Sequence, residues 1–194
     1  IEALKIGPGN DLGNDMGPLI TKEHKKKVID YIKSGDSSGA ELVIDGRDHP
    51  VTNENEGFFL GPTLFDHVSA DMSIYLEEIF GPVLVMLRAT NFQQALDLVN
   101  NHRFGNGVAV FTSSGSIARE FSNRVQIGMI GINVAIPVPL SFYSFGGWKD
   151  SIYGSSNIYG MDGVRFFTKL KTITTRWSDL EESSSVDLSM PTAK

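Results

Sequence analysis

Between Val83 and Val134 the chain alternates two kinds of apolar pattern. Val83 to Leu87 is an unbroken apolar run of strand length, and Phe92, Ala95, Leu96 and Val99 follow at the i, i+3, i+4, i+7 spacing of one helix face. Val108 to Phe111 is a second such run, Ile117, Phe121 and Val125 mark a second helix face, and Met129 to Val134 is a third run. Strand, helix, strand, helix, strand in so short a stretch predicts an α/β fold, with a mostly parallel sheet, flanking helices and right-handed crossovers. A run as apolar as Val83 to Leu87 further predicts a strand covered on both faces. With 194 residues, 41% of them hydrophobic, there is material for one good-sized core and little more.

The flanking segments are less regular. Residues 1–19 are rich in Gly, Pro, Asn and Asp and read as a loop. Thr21 is placed to cap a helix running to Ser34, with Gly35 as its stop. Lys25, Lys26 and Lys27 lie on its wet side, a solvated face more readily than an anion site. Ala40 to Ile44 reads as a strand ending in an Asp45-Gly46 turn, and Phe58 to Phe65 as another, interrupted at Gly61-Pro62. Pro137 to Gly154 reads as a long loop and Asp162 to Phe167 as a short helix. The mixed polarity of Lys169 to Trp177 suits an edge or interface strand. Ser178 to Lys194 has almost nothing to bury and is expected to be a flexible tail. The implied division is 1–160, 161–177 and 178–194.

Several classes of function are disfavoured. A formal net charge of −6 argues against nucleic acid or an anionic membrane as the main partner. The longest near-apolar run, Ile127 to Leu140, is broken by Asn133, Pro137 and Pro139 and is too short to span a bilayer. The chain has no cysteine, which removes disulfides, zinc–thiolate sites and any thiol nucleophile of its own. His24, His49, His67 and His102 lack metal-ligand spacing and read as surface or turn residues. Gly7, Gly9 and Gly13 have the wrong spacing for a dinucleotide loop, and no strand precedes them.

One segment concentrates chemical information: Glu77-Glu78-Ile79-Phe80-Gly81-Pro82-Val83. The Gly-Pro pair turns the backbone sharply before a strand, so Glu78 and Phe80 stand on a rigid rim. A carboxylate can accept hydrogen bonds from both hydroxyls of a ribose diol, and an aromatic ring can wall a flat heterocycle. Spacing alone favours the plainer alternative, a solvated helix-end glutamate and a core phenylalanine.

The Glu77 to Val83 segment resembles the Glu-Glu-Ile-Phe-Gly-Pro-Val motif of the aldehyde dehydrogenase superfamily. Gly17-Pro18-Leu19-Ile20, Gly61-Pro62-Thr63, Asn106-Gly107 and Phe145-Gly146-Gly147-Trp148-Lys149 follow in the superfamily order. Gly131 to Leu140, Ser144 to Gly147 and Gly163 to Thr174 are similar to the CoA-acylating, methylmalonate-semialdehyde branch, and the resemblance runs from about residue 3 to residue 177. It implies an incomplete catalytic domain plus a C-terminal oligomerisation strand. It also implies NAD as cofactor and coenzyme A as co-substrate, in the conversion of methylmalonate or malonate semialdehyde to an acyl-CoA. On it, Glu78 holds the nicotinamide ribose, Phe80 packs beside the nicotinamide, and Phe145, with Phe142 nearby, lines the aldehyde tunnel. Lys169 to Trp177 would join subunits of a homo-oligomer, a tetramer on the branch's pattern. The branch works in the mitochondrial matrix in eukaryotes and otherwise in the cytoplasm.

The resemblance also shows what is missing. The family's nucleophilic cysteine, its dinucleotide-binding domain and an oxyanion-holding asparagine would precede Ile1, so the chain is expected to be a C-terminal portion, inactive alone. Ala135 and Ser141 stand where the branch would carry prolines, and Ile158 where hydrolytic members carry a glutamate. A second reading from another class is a non-catalytic, half-length chain that docks into full-length oligomers through its last strand. Either way Phe80, Phe142 and Phe145 should be exposed, with poor solubility and very weak NAD binding for the isolated chain.

Overall fold

A computed structural model describes residues 1–54 and 57–175. Its first helix, α1 (Lys22–Ser37), starts where Thr21 Oγ1 accepts the His24 N–H at 3.1 Å. Val28 and Ile32, four residues apart, are fully buried on its inner face. The helix does not stop at Gly35, as the sequence suggested. Gly35 is buried with Phe65 and Ile74 against its Cα, and the left-handed residue that ends the helix is Gly39, at φ +90°.

Strand β1 (Glu41–Ile44) follows, then a 3₁₀ turn at Gly46–Asp48 capped by Asp45 and a short helix, α2 (Pro50–Glu54). Strand β2 (Thr63–Asp66) is shorter than the expected Phe58–Phe65 run, because the chain up to Pro62 packs as irregular backbone. Buried Thr63 ties it down by accepting the Gly46 N–H at 3.0 Å. A one-turn helix, α3 (Ser73–Leu76), leads through the Glu77–Pro82 corner into β3 (Val83–Val85). β2 lies between an antiparallel β1 and a parallel β3. Phe65 is fully buried in the resulting core, with Val28, Ile32, Leu60, Val68, Ile74 and Ile79.

The remaining elements build around a separate cluster. Helix α4 (Phe92–Asn101) begins at Asn91, whose side chain caps the Gln94 N–H at 2.9 Å. Short β4 (Phe104–Gly105) and β5 (Gly107–Val110) follow, then α5 (Gly115–Arg124) and β6 (Met129–Ile132). β5 and β6 are parallel neighbours joined through α5, as the alternating pattern predicts. Their core is Leu96, Phe121, Val125 and Ile127. β7 (Trp148–Lys149) pairs antiparallel with β4, and α6 (Gly160–Phe167) is the last helix among the described residues.

Three expectations need correction. The apolar runs do not form one continuous sheet: β3 bonds to β2, whereas β5 and β6 form their own pair. β3 is not covered on both faces either, since Leu84 is 55% exposed while Val83 and Val85 pack on the first core. An apolar run reports that a strand is meant to be covered, not that the covering element lies in the same chain. Finally, residues 169–175 adopt no strand, and Leu170 and Ile173 are 97% and 76% exposed. Edge-strand chemistry without a neighbouring edge yields no ladder. Trp177 and the expected tail 178–194 lie outside the described residues. Among the described residues no helix is long and apolar enough to cross a membrane.

Candidate cofactor cleft

The corner Glu77–Pro82 is fixed from three sides. The Pro82 carbonyl accepts the Thr63 N–H at 2.8 Å, tying the corner to β2. Gly81 lies so close to α1 that a Cβ there would fall 2.7 Å from a Val28 methyl, so no larger residue fits. Ile79 is buried in the first core, which turns its neighbours Glu78 and Phe80 outward. Phe80 itself sits at φ +60°, a left-handed conformation costly for a residue with a Cβ. Its carbonyl pairs with His24 Nε2 at 2.7 Å, and the two rings meet edge to face with centroids 6.2 Å apart. His24, expected from the sequence to be a surface or turn residue, is half-buried and braces this corner.

Glu78 lines a cleft of about 950 Å³, together with Arg103, Phe104, Asn106 and residues 149–153. Its walls come from different parts of the fold. Glu78 immediately precedes Ile79 of the first core, whereas Arg103 to Asn106 follow α4 and bond through their backbone to the 149–153 loop and to β6. Arg103 bridges the boundary, its guanidinium donating to Glu77 at 3.1 Å. His102 bridges it as well, with Nε2 donating to the Tyr75 carbonyl at 2.9 Å while Nδ1 accepts the Phe104 N–H at 3.1 Å.

The four site residues expected from the sequence are therefore not all in one place. Glu78 is on the cleft wall, whereas Phe80, Phe142 and Phe145 do not line that cleft. Phe80 and Phe142 are exposed, at 75% and 66%. Phe145 is not exposed as expected: it is half-buried, stacked on Tyr159 with ring centroids 4.4 Å apart and nearly parallel planes. Sequence reasoning passed over Arg103, Asn106, Lys149 and Tyr153, although Asn106 and Lys149 lie within motifs that it used. Among the described residues no group of three or more His, Asp or Glu side chains converges as a metal site would require.

The chemistry of the cleft suits a polyhydroxylated ligand. Glu78 and Asp150 are acceptors, Arg103 and Asn106 are donors, and Tyr153 projects from the loop fully exposed. This arrangement accompanies a family-wide sequence pattern: the profile of the aldehyde dehydrogenase family fits residues 1–173. The chain belongs to the aldehyde dehydrogenase family.

Relatives within the family are close. Malonate-semialdehyde dehydrogenase of Pseudomonas aeruginosa is 49% identical over 191 residues, 98% of this chain and 38% of the relative. The mitochondrial acylating methylmalonate-semialdehyde dehydrogenase of Arabidopsis thaliana is 48% identical over 193 residues, 100% of this chain and 32% of the relative. Among solved structures, the methylmalonate-semialdehyde dehydrogenase of Oceanimonas doudoroffii superposes with a TM-score of 0.88 at 51% identity, covering 93% of this chain and 37% of that one. A Mycobacterium tuberculosis aldehyde dehydrogenase complexed with NAD+ gives a TM-score of 0.77 at 34% identity, covering 87% and 34%. The chain spans 32–38% of the length of these relatives.

Proposed function

We propose that this chain is the C-terminal catalytic portion of an NAD-dependent, CoA-acylating semialdehyde dehydrogenase that takes malonate or methylmalonate semialdehyde to an acyl-CoA. The observation that carries the reading is the meeting of two family motifs across one cleft: the Glu77–Val83 corner supplies Glu78, and the loop after Phe145-Gly146-Gly147 supplies the opposite wall. Similarity to the two semialdehyde dehydrogenases supports the substrate class.

The residues present fit the ribose end of NAD. Glu78 offers an exposed carboxylate as a two-oxygen acceptor for the ribose hydroxyls, and Phe80 offers an exposed ring fixed by a strained backbone. When bound, NAD supplies the hydride acceptor that aldehyde oxidation needs. Phe142 and Phe145 would contribute apolar surface on the aldehyde side, with Tyr159 holding Phe145 in place. The attacking thiolate must come from other polypeptide, because this chain has no cysteine and no other side chain substitutes for that soft nucleophile. Residues 169–177 would add to a subunit sheet of a homo-oligomer, a tetramer by the branch's pattern. The site of action would be the mitochondrial matrix in a eukaryote and the cytoplasm otherwise.

A direct test grafts residues 1–173 into the Pseudomonas aeruginosa enzyme in place of the equivalent segment. The graft should reduce NAD with malonate semialdehyde in the presence of coenzyme A. Glu78→Gln should raise the KM for NAD by about tenfold or more, as expected for a lost charge-assisted contact. A soluble, assembled graft that forms no NADH would overturn the reading. The exposed, apolar Leu170 and Ile173 also favour a second reading, a non-catalytic chain docking through this segment into full-length oligomers. Co-purification of the chain with a full-length dehydrogenase, lost on Ile173→Lys, would distinguish it.

A further inference from the structure

Residues 149–153 form a wall of the cleft, yet little regular structure holds them. Strand β7 is two residues long. Around it, the Asp150 N–H donates to the Arg103 carbonyl at 3.2 Å and the Gly105 N–H donates to Ser151 Oγ at 3.0 Å. The stronger fixture is the Lys149 ammonium, which donates to the carbonyls of Val99 at 3.4 Å, Asn100 at 2.8 Å and His102 at 3.0 Å. These carbonyls close the last turn of α4, where no further helical N–H is available and the helix dipole places partial negative charge. An ammonium has three donors, and all three are used. Lys149 meanwhile holds a left-handed backbone at φ +53°, a strained state that persists only when its surroundings enforce it.

The same turn of α4 is tied to the opposite wall. His102, whose carbonyl Lys149 grips, donates through its ring to the Tyr75 carbonyl, and neighbouring Arg103 pairs with Glu77. A short relay of hydrogen bonds thus runs from Lys149 to the residues just before Glu78.

We infer that Lys149 is a positioning residue: its ammonium plugs the end of α4 and thereby sets the 149–153 wall at a fixed distance from Glu78. Its bearing on catalysis rests on the reading of the cleft as the cofactor site. Two variants separate the plug from general stability. Lys149→Met keeps the stem and removes all three donors, and Lys149→Arg keeps charge and donors in a different shape. In the 194-residue chain, hydrogen exchange at the Gly105, Asp150 and Ser151 amides should accelerate by about tenfold or more in Lys149→Met, with Lys149→Arg intermediate and α1 unchanged. In the grafted enzyme, Lys149→Met should raise the KM for NAD by about tenfold while kcat changes by less than about threefold, and Lys149→Arg should recover part of the loss. Exchange that is unchanged, or that rises equally throughout α1, overturns the inference; so does an active graft whose KM for NAD ignores Lys149. A graft that lacks NAD-dependent activity before any Lys149 change removes the cofactor reading instead, and the exchange result then decides the plug by itself.

Discussion

Replacing Phe65 by alanine removes the largest fully buried side chain of the first core. Its ring lies among Val28, Ile32, Leu60 and Ile74, on a strand bonded on both sides, so neighbours have little freedom to collapse into the space. Large-to-small changes of this kind cost about 3–5 kcal/mol, the lost transfer energy plus the residual cavity. A domain holds only about 5–15 kcal/mol in total. With a urea slope of about 1–3 kcal/mol per molar, the unfolding midpoint should drop by at least about 1 M. The second core shares no buried residue with the first. Exchange protection in α1 and β2 should therefore fall much further than in α5 and β6. Urea melts followed by circular dichroism, with exchange read segment by segment, supply the test. A midpoint that barely moves, or equal loss in α1 and α5, would refute the two-core description.

Other expectations follow from single contacts. Asp66 is held down to about 2, first by its hydrogen bonds from Arg88 and then by the His67 N–H. Its folded value lies below the unfolded one, so its stabilisation is complete above about pH 4 and disappears as pH falls through about 2. The Tm gap between the parent and Asp66→Asn should close over that window and narrow at high salt, since Arg88 is largely exposed. Thr21→Ala removes the α1 cap and should cost about 1 kcal/mol in urea melts. Gly128→Ala would set a Cβ 1.9 Å from the Gly146 carbonyl oxygen, so the 146–153 loop should detach and become readily cleaved in limited proteolysis. Calorimetry of the isolated chain should find only very weak NAD binding, because on the proposed reading this chain supplies only part of the cofactor site; micromolar affinity would contradict it.

The helices around the second core were readable because their apolar residues repeat at helical spacing, and Leu96, Phe121 and Val125 are indeed its buried members. The Glu78 corner was readable because Gly81-Pro82 restricts the backbone whatever surrounds it. Sheet connectivity was not. The run Val83 to Leu87 says strand, but whether its neighbour is β2 or β5 depends on long-range packing that no local pattern encodes. Lys149 could not be assigned a role for a related reason: its partners are backbone carbonyls 47 to 50 residues away, which carry no sequence signature. Residues 169–175 illustrate a third limit, since a strand-like polarity pattern does not by itself supply a hydrogen-bonding partner. Phe145 was misjudged because its stacking on Tyr159 joins two segments that the sequence offered no reason to connect.

That Glu78 stands beside the first core while the 149–153 loop is bonded to Arg103 and Gly105, beyond α4, has a mechanical meaning. The molecule resembles a book whose spine is the polar strip of Tyr75, Glu77, His102 and Arg103, with the cleft as its open gutter. A slight rotation at the spine would open or narrow the gutter. Hydrogen bonds join the pages there alongside the edge-to-face meeting of the Tyr75 and His102 rings, and such bonds re-form at little net cost when water takes their place.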